Sequence, residues 1–276
     1  MSLSLRSKYD LGAKIGSGGN GVVRAAVCKQ SGRQLACKTI AKVSHKQVDE
    51  RLYEIHREVA VMHRLSDSEC VAKLEDVYED ADNVYVIMER CYGGELKYDP
   101  RKSERTTASQ MRFVLQTLTQ CHNYNILHRD VKPSNFLLLS DAPNAPVKGV
   151  DFGLSVMYGS ESSLPLKDLS LEGTPWFMAP ETISSLWGPP ADVWAAGIMA
   201  HQLLTGILPF DDRDKPQDPR LTAIFRSILS DELDLSNACR AGVSPEGRDF
   251  VARALTRKAD RRPVARELLE HPWLRP

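Results

Sequence analysis

The sequence predicts an α+β chain built as two lobes, the first rich in strands and the second mostly helical. Roughly the first 90 residues read as short β-branched or alternating runs punctuated by glycine. From about Thr106 onward, apolar residues recur at helical spacing. Gly93-Gly94 lies between the two regimes and is the expected hinge.

The elements follow in order. Tyr9–Gly16, Gly21–Lys29, Gln34–Ile40 and Asn83–Arg90 are expected strands. One helix interrupts them, because Val48, Leu52, Ile55, Val59 and Met62 form an apolar stripe over Lys46–Leu65. In the second lobe Met111, Val114, Leu115 and Leu118 line one helix face, and Pro189–Thr205 is apolar almost all round, the pattern of a buried helix. Leu139–Pro146 and Tyr158–Leu171 read as loops. There is no internal repeat and no low-complexity tract.

Composition bounds the function without naming it. Lys plus Arg total 36 and Asp plus Glu total 36, so net charge gives no reason to expect nucleic acid or an anionic membrane as partner. The 6 cysteines are too scattered for a CxxC pair and suit a reducing, cytoplasmic setting. The apolar stretch Val193–Ala200 is far short of the roughly 20 residues a membrane span needs. The first residues lack the apolar run of a signal peptide, and Ser2 stands where myristoylation needs glycine.

Three segments carry chemistry. Gly16-Ser17-Gly18-Gly19-Asn20-Gly21 lies between two expected strands, with Lys38 rather than an acid about 20 residues on. That describes a hairpin whose backbone approaches phosphates, and differs from a dinucleotide turn entering a helix. In Leu35-Ala36-Cys37-Lys38, alternation sends Ala36 and Lys38 to one face, so a small residue touches a base while the ammonium reaches phosphates. Glu58, at the edge of the helix stripe, is the natural partner of Lys38; Glu54 is the second choice and points further toward solvent. In His128-Arg129-Asp130-Val131-Lys132-Pro133-Ser134-Asn135, Asp130 is placed to accept a hydroxyl proton and Lys132 to neutralise developing charge. Asn135 there and Asp151 of Asp151-Phe152-Gly153 supply hard oxygens suited to Mg²⁺.

These motifs, in this order, resemble the eukaryotic protein kinases from about Tyr9 to Trp273. Ala179-Pro180-Glu181, Asp192-Val193-Trp194 and Arg262 extend the similarity. The resemblance implies the bilobal protein kinase fold over residues 9–273, with lobes at about 9–92 and 93–273. It implies a Ser/Thr protein kinase that uses ATP and Mg²⁺, because Lys132 and Gly173-Thr174-Pro175 look like that branch. Leu35-Ala36-Cys37-Lys38, Gly93-Gly94-Glu95-Leu96 and Asp151-Phe152-Gly153-Leu154-Ser155 are similar to the calcium/calmodulin-dependent group, and within it to the calcium-dependent kinases of plants and algae. No D-x-[DN]-x-[DN]-G loop occurs, so calcium dependence does not follow, and no regulatory tail is expected within these residues.

Roles carried over with the resemblance are these. Gly16 to Gly21 cover the nucleotide phosphates, and Val23, Ala36 and Leu137 sandwich adenine. Met88 is the gatekeeper, and Glu89 and Cys91 offer hinge backbone groups; Cys91 is not expected to be a reactive thiol. Met62, Leu74, His128 and Phe152 form a packed stack, Glu181 and Arg262 an ion pair, and Trp176 packs near the peptide groove. Glu95, at the nucleotide-cleft edge, meets an arginine three residues before the phosphorylated site of a protein substrate. Arg129 senses a phosphate on Ser170, added by an upstream kinase or by autophosphorylation, with Lys167 assisting and Glu172 competing. Thr174 is read as structural, bonded near Asp130 and Lys132.

Four departures from the family pattern stand out. Asn20 replaces the usual aromatic at the tip of the glycine loop, and Ser134 stands where an acid is common. The segment after Gly94 is short and contains Pro100, which argues against a full helix there; the activation segment, Asp151 to Glu181, is long. Two rival readings are a catalytically silent scaffold, which the complete residue set opposes, and a small-molecule kinase, which the long activation segment opposes.

Overall fold

The computed structural model describes residues 5–18, 21–42, 48–159, 164–167, 169–210 and 220–275. A short turn, α1 (Leu5–Lys8), leads into β1 (Tyr9–Gly18), β2 (Gly21–Cys28) and β3 (Gln34–Ala41). Helix α2 (Val48–Arg64) is followed by β4 (Leu74–Glu79) and β5 (Asn83–Glu89). The five strands form one antiparallel sheet in the order β1-β2-β3-β5-β4. Strand β4 escaped the sequence reading. It is an edge strand with a register shift between Leu74 and Asp76, so its apolar residues do not alternate cleanly.

Alternation along β3 gives the sheet two cores. Ala36 and Ile40 face α2 with Val84, Val86 and Met88, and pack on Ile55, Val61, Met62 and Leu65. Leu35 and Cys37 face the other way and are covered by Leu5 and Tyr9 at the chain start. The apolar stripe of α2 therefore does what its spacing predicts, with Ile55 and Met62 buried and Leu52 and Val59 half-buried. Lys46 and Gln47 of the expected helix lie outside the described residues.

The second lobe is organised by α3 (Glu104–Asn123) and α5 (Pro189–Thr205). Ser103 caps α3, accepting from the Thr106 amide at 3.2 Å. Met111, Val114, Leu115 and Leu118 of α3 meet Val193, Trp194 and Ile198 of α5 and Phe250 in one core. Burial of each such large side chain stabilises by about 1.5–3 kcal/mol, which is why α5 carries apolar residues on every side. Around this pair lie α4 (Pro180–Ile183), α6 (Arg220–Ser230), α7 (Ser236–Arg240), α8 (Pro245–Ala254) and α9 (Ala265–Leu269). Two small antiparallel ribbons sit below the first lobe. They pair β6 (Ile126–Leu127) with β9 (Val156–Met157), and β7 (Phe136–Leu138) with β8 (Val147–Gly149). No helix forms between Gly94 and Ser103, as the short segment with Pro100 suggests. No helix among the described residues is long and apolar enough to cross a membrane.

The hinge glycines have separate reasons. A Cβ at Gly93 would collide with the Ser140 carbonyl and the Leu138 side chain, while Gly94 has φ 72°, a left-handed conformation. Together they let the chain lie against β7, where the Gly93 amide donates to Leu138 O at 3.0 Å and the Leu138 amide to Gly94 O at 2.9 Å.

Candidate active site

The cleft between the lobes gathers most of the singled-out residues. From above, β3 delivers Lys38, whose Nζ lies 2.5 Å from Glu58 Oε1 of α2 and 3.0 Å from Asp151 Oδ1. Burial works against the Lys38 charge, but the Glu58 and Asp151 carboxylates outweigh it and hold the ammonium above its ordinary range. Burial also opposes ionisation of Asp151, and there Lys38 and the Gly153 amide prevail, keeping its carboxyl below the usual range. Glu54 instead pairs with Arg51 at 3.2 Å, its side chain only 16% exposed, so it is less solvent-facing than its helix position suggests.

From below, the loop His128 to Asn135 is a hydrogen-bonded knot. Asp130 Oδ2 accepts from Asn135 Nδ2 at 2.9 Å and lies 2.7 Å from Lys132 Nζ. Thr174 Oγ1 donates to Asp130 Oδ1 at 2.9 Å and accepts from Lys132 Nζ at 3.0 Å. Asn135 Nδ2 also donates to Asp130 O at 2.7 Å, which leaves the Asn135 Oδ1 atom as its remaining acceptor. That oxygen and the Asp151 carboxylate are the hard donors a divalent cation prefers. Two oxygens leave most of a coordination shell to other ligands.

Backbone strain at the loop has a visible anchor. Arg129 has φ 66°, unfavourable for a side-chain-bearing residue. The buried Asp192 carboxylate at the start of α5 accepts from the His128 and Arg129 amides, both at 2.9 Å, and from the His122 ring at 2.9 Å. Those donors overcome burial and hold Asp192 below the ordinary carboxylate range. The sequence reading named Asp192 without giving it this anchoring role; an acid inside an otherwise apolar helix was the available signal.

Three of the apolar candidates pack together. Val23, Ala36 and Met88 belong to one cluster, with Ala36 directly across from Met88 in the β3–β5 register. Leu137 lies on β7, in a bridge with the exposed Glu95. No backbone hydrogen bond engages Cys91 among the described residues, and burial together with Glu89 pushes its thiol up to about 12, so it is no nucleophile at neutral pH. Gly16 and Ser17 pair with Val23 and Val22, and Gly18 with Gly21; Gly19 and Asn20 lie outside the described residues. A Cβ at Gly18 would meet nothing within 4 Å, whereas one at Gly21, with φ 151°, would strike the Thr39 carbonyl. Gly21 is thus required by the hairpin itself, and open space lies beside Gly18 for a ligand. His128 packs on Phe152 with ring centroids 5.2 Å apart, and Met62, Phe152 and Leu74 share one cluster.

Sequence reasoning missed three neighbours. Lys148 on β8 pairs with Glu89 at the end of β5 at 3.1 Å, tying the strand that leads to Asp151 to the first lobe. Trp187 lies under the Arg129 guanidinium, 4.4 Å from its ring centroid. Arg57 reaches Gly153 O at 3.4 Å, next to Leu154 O, which accepts from Arg129 Nη1 at 3.3 Å. All three are recognisable only once β8, the activation segment and α2 converge.

The protein kinase domain family matches residues 9–274. This chain belongs to that family. The chain is 38% identical to calcium-dependent protein kinase 34 of Arabidopsis thaliana over 98% of its own length and 50% of the relative's. It is 37% identical to calcium-dependent protein kinase 17 of the same plant and to calcium-dependent protein kinase 28 of Oryza sativa subsp. japonica, with the same coverage. The chain spans about half the length of the curated relatives it matches. Protein kinase domains as a family use ATP and a divalent cation.

Proposed function

We propose that this domain transfers the γ-phosphoryl group of ATP, with Mg²⁺, to serine and threonine hydroxyls of proteins. The observation that carries this reading is the Asp130–Lys132–Asn135–Thr174 network, beside the Lys38–Glu58–Asp151 charge triad. ATP, when bound, supplies the electrophilic phosphorus and the leaving group. Lys38, steadied by Glu58, would hold phosphate oxygens, and Asn135 and Asp151 would hold the cation. Asp130 orients the attacking hydroxyl and takes its proton, and Lys132 offsets charge as it builds. Little covalent work falls to the protein, so positioning supplies most of the acceleration. Val23, Ala36, Met88 and Leu137 hold the base, with Glu89 and Cys91 as hinge donors and acceptors. Scattered thiols fit action in the cytosol.

The test is a degenerate peptide library with Mg²⁺-ATP. Label on Ser and Thr peptides and none on Tyr peptides is expected. Nucleotide binding without any label would convert the domain into a scaffold.

Substrate preference is expected to involve Glu95. Its carboxylate is exposed, whereas nearby Asp99 is matched by Arg101 at 2.9 Å, and Ser134 brings no acid. Arginine three residues before the target should raise kcat/KM over alanine by about 2- to 5-fold, the range of an exposed ion pair. Glu95→Ala should erase that difference; equal rates with the unmutated domain would refute the assignment.

Regulation is expected at Ser170. Its backbone carbonyl accepts from Arg129 Nη2 at 2.8 Å, and its side chain is exposed. A phosphate there would add roughly −1.5 to −2 charge beside Arg129. Glu172 Oε2, 4.0 Å from Arg129 Nη1, already supplies part of that charge, so the gain should be partial. Intact-mass analysis beside activity, for Ser170→Ala and the unmutated domain, decides it. An unphosphorylated domain as active as any phosphorylated form would end the switch idea.

A further inference from the structure

A recess of about 600 Å³ lies at the start of α3. By helix rise it is about 30 Å along α3 from the end that feeds the catalytic loop. One wall is a stripe of α3. Arg105 and Arg112 are seven residues apart, hence on one face and about 10 Å apart along the axis. Between them the small residues Ala108 and Ser109 leave the stripe hollow. The opposite wall is Trp273, Leu274 and Arg275.

The walls are tied together without using up the arginines. Glu104 Oε1 accepts from Ser244 Oγ at 2.7 Å and from Trp273 Nε1 at 2.8 Å, and Oε2 from the Ser244 amide at 2.9 Å. The single carboxylate of the cavity is therefore occupied by the loop before α8 and by the Trp273 indole. Arg112 Nη1 donates to the Leu274 carbonyl at 3.3 Å, and among the described residues no carboxylate pairs with Arg105, Arg112 or Arg275. Arg105 and Arg275 are exposed. In a protein of zero formal net charge, the lining of this one recess carries Arg105, Arg112 and Arg275 against Glu104 alone, a local excess of positive charge.

We propose that this recess docks an acidic, extended segment of a partner protein. A single phosphate would need converging donors, and two arginines about 10 Å apart on one helix face do not converge. Carboxylates three residues apart on a polyproline-II extended chain lie on one face about 9 Å apart, and guanidinium forks match carboxylates in geometry as well as charge. Ala108 and Ser109 give the segment's backbone room, and the Ser103 and Ser109 hydroxyls line its path.

The experiment is fluorescence anisotropy on the whole domain without nucleotide. The probe is a labelled ten-residue peptide carrying Glu every third position on a Gly/Asn background. Saturable binding that weakens as salt rises is expected, and about tenfold weaker binding to Arg105→Ala/Arg275→Ala, two exposed ion pairs being lost. Arg105→Glu should reject this peptide and gain affinity for its Lys counterpart. Thermal melting and the rate on a neutral peptide substrate should be unchanged in the alanine variant. Equal binding by wild type and variant, or no saturation, overturns the proposal. Full displacement by inorganic phosphate would mark a small-anion site instead. Capture by anionic lipid vesicles but not by the peptide would mark a membrane contact. Either result overturns peptide docking.

Discussion

Asp130→Asn is expected to lower kcat on a peptide substrate by at least about 10²-fold, the scale of a positioned general base. Asp130 is held from three directions, by Asn135 Nδ2 at 2.9 Å, Lys132 Nζ at 2.7 Å and Thr174 Oγ1 at 2.9 Å. An amide keeps the size of the carboxylate but loses its charge, and its NH₂ would face donors. The hydroxyl then meets neither a base nor a defined direction of approach. Nucleotide affinity should survive, because Lys38 and Asp151 are untouched. Lys38→Met is expected to cut activity by a similar factor through a different route. It strands Glu58, which is 3% exposed, as a buried charge without its partner, and releases Asp151. Nucleotide binding should weaken in that variant and hold in the first. Rapid-quench kinetics and nucleotide titration separate the two patterns; full activity in both purified variants would sink the catalytic assignment.

Arg262→Ala is expected to destabilise the helical lobe by about 3–5 kcal/mol, the cost of breaking a buried ion pair on one side. The Arg262 side chain is 0% exposed. It meets Glu181 at 2.6 and 3.0 Å, donates to the carbonyls of Pro190, Thr256 and Arg257, and lies 5.0 Å from the Trp194 ring centroid. Removal takes both Arg262 donors from the Glu181 carboxylate and one from each of those carbonyls, at the junction of the activation segment and α5. Arg262→Lys keeps charge but not the fork, and should fall between. Urea denaturation followed by Trp fluorescence reads the change. An unshifted midpoint for Arg262→Ala would show the pair to be stabilising nothing.

The strands and helices that were legible had one feature in common: a single buried face. Ala36 and Lys38 on one side of β3, and Ile55 and Met62 on one side of α2, follow from periodicity, since burying any other face would expose the apolar set. Glu58 was legible as the partner of Lys38 because helix spacing restricted the choice to two residues, and packing against β3 then selected it. Strand β4 was not legible, because an edge strand with a bulge needs no clean alternation.

By itself the sequence determined which residue types stand in which order: the glycine loop, Lys38, the run His128 to Asn135, and Asp151-Phe152-Gly153. These are local, and each chemistry depends on side chains whose spacing along the chain is short. Only the tertiary structure decided which distant residues close round them. Asp192, 62 positions after Asp130, pins the strained loop through its backbone amides. Lys148 reaches Glu89 on β5, and Arg105, Arg112 and Arg275 come to line one recess. Backbone donors and long ion pairs leave no periodic mark on a sequence. Their partners are chosen by which elements pack together, so they become visible only when the chain is folded.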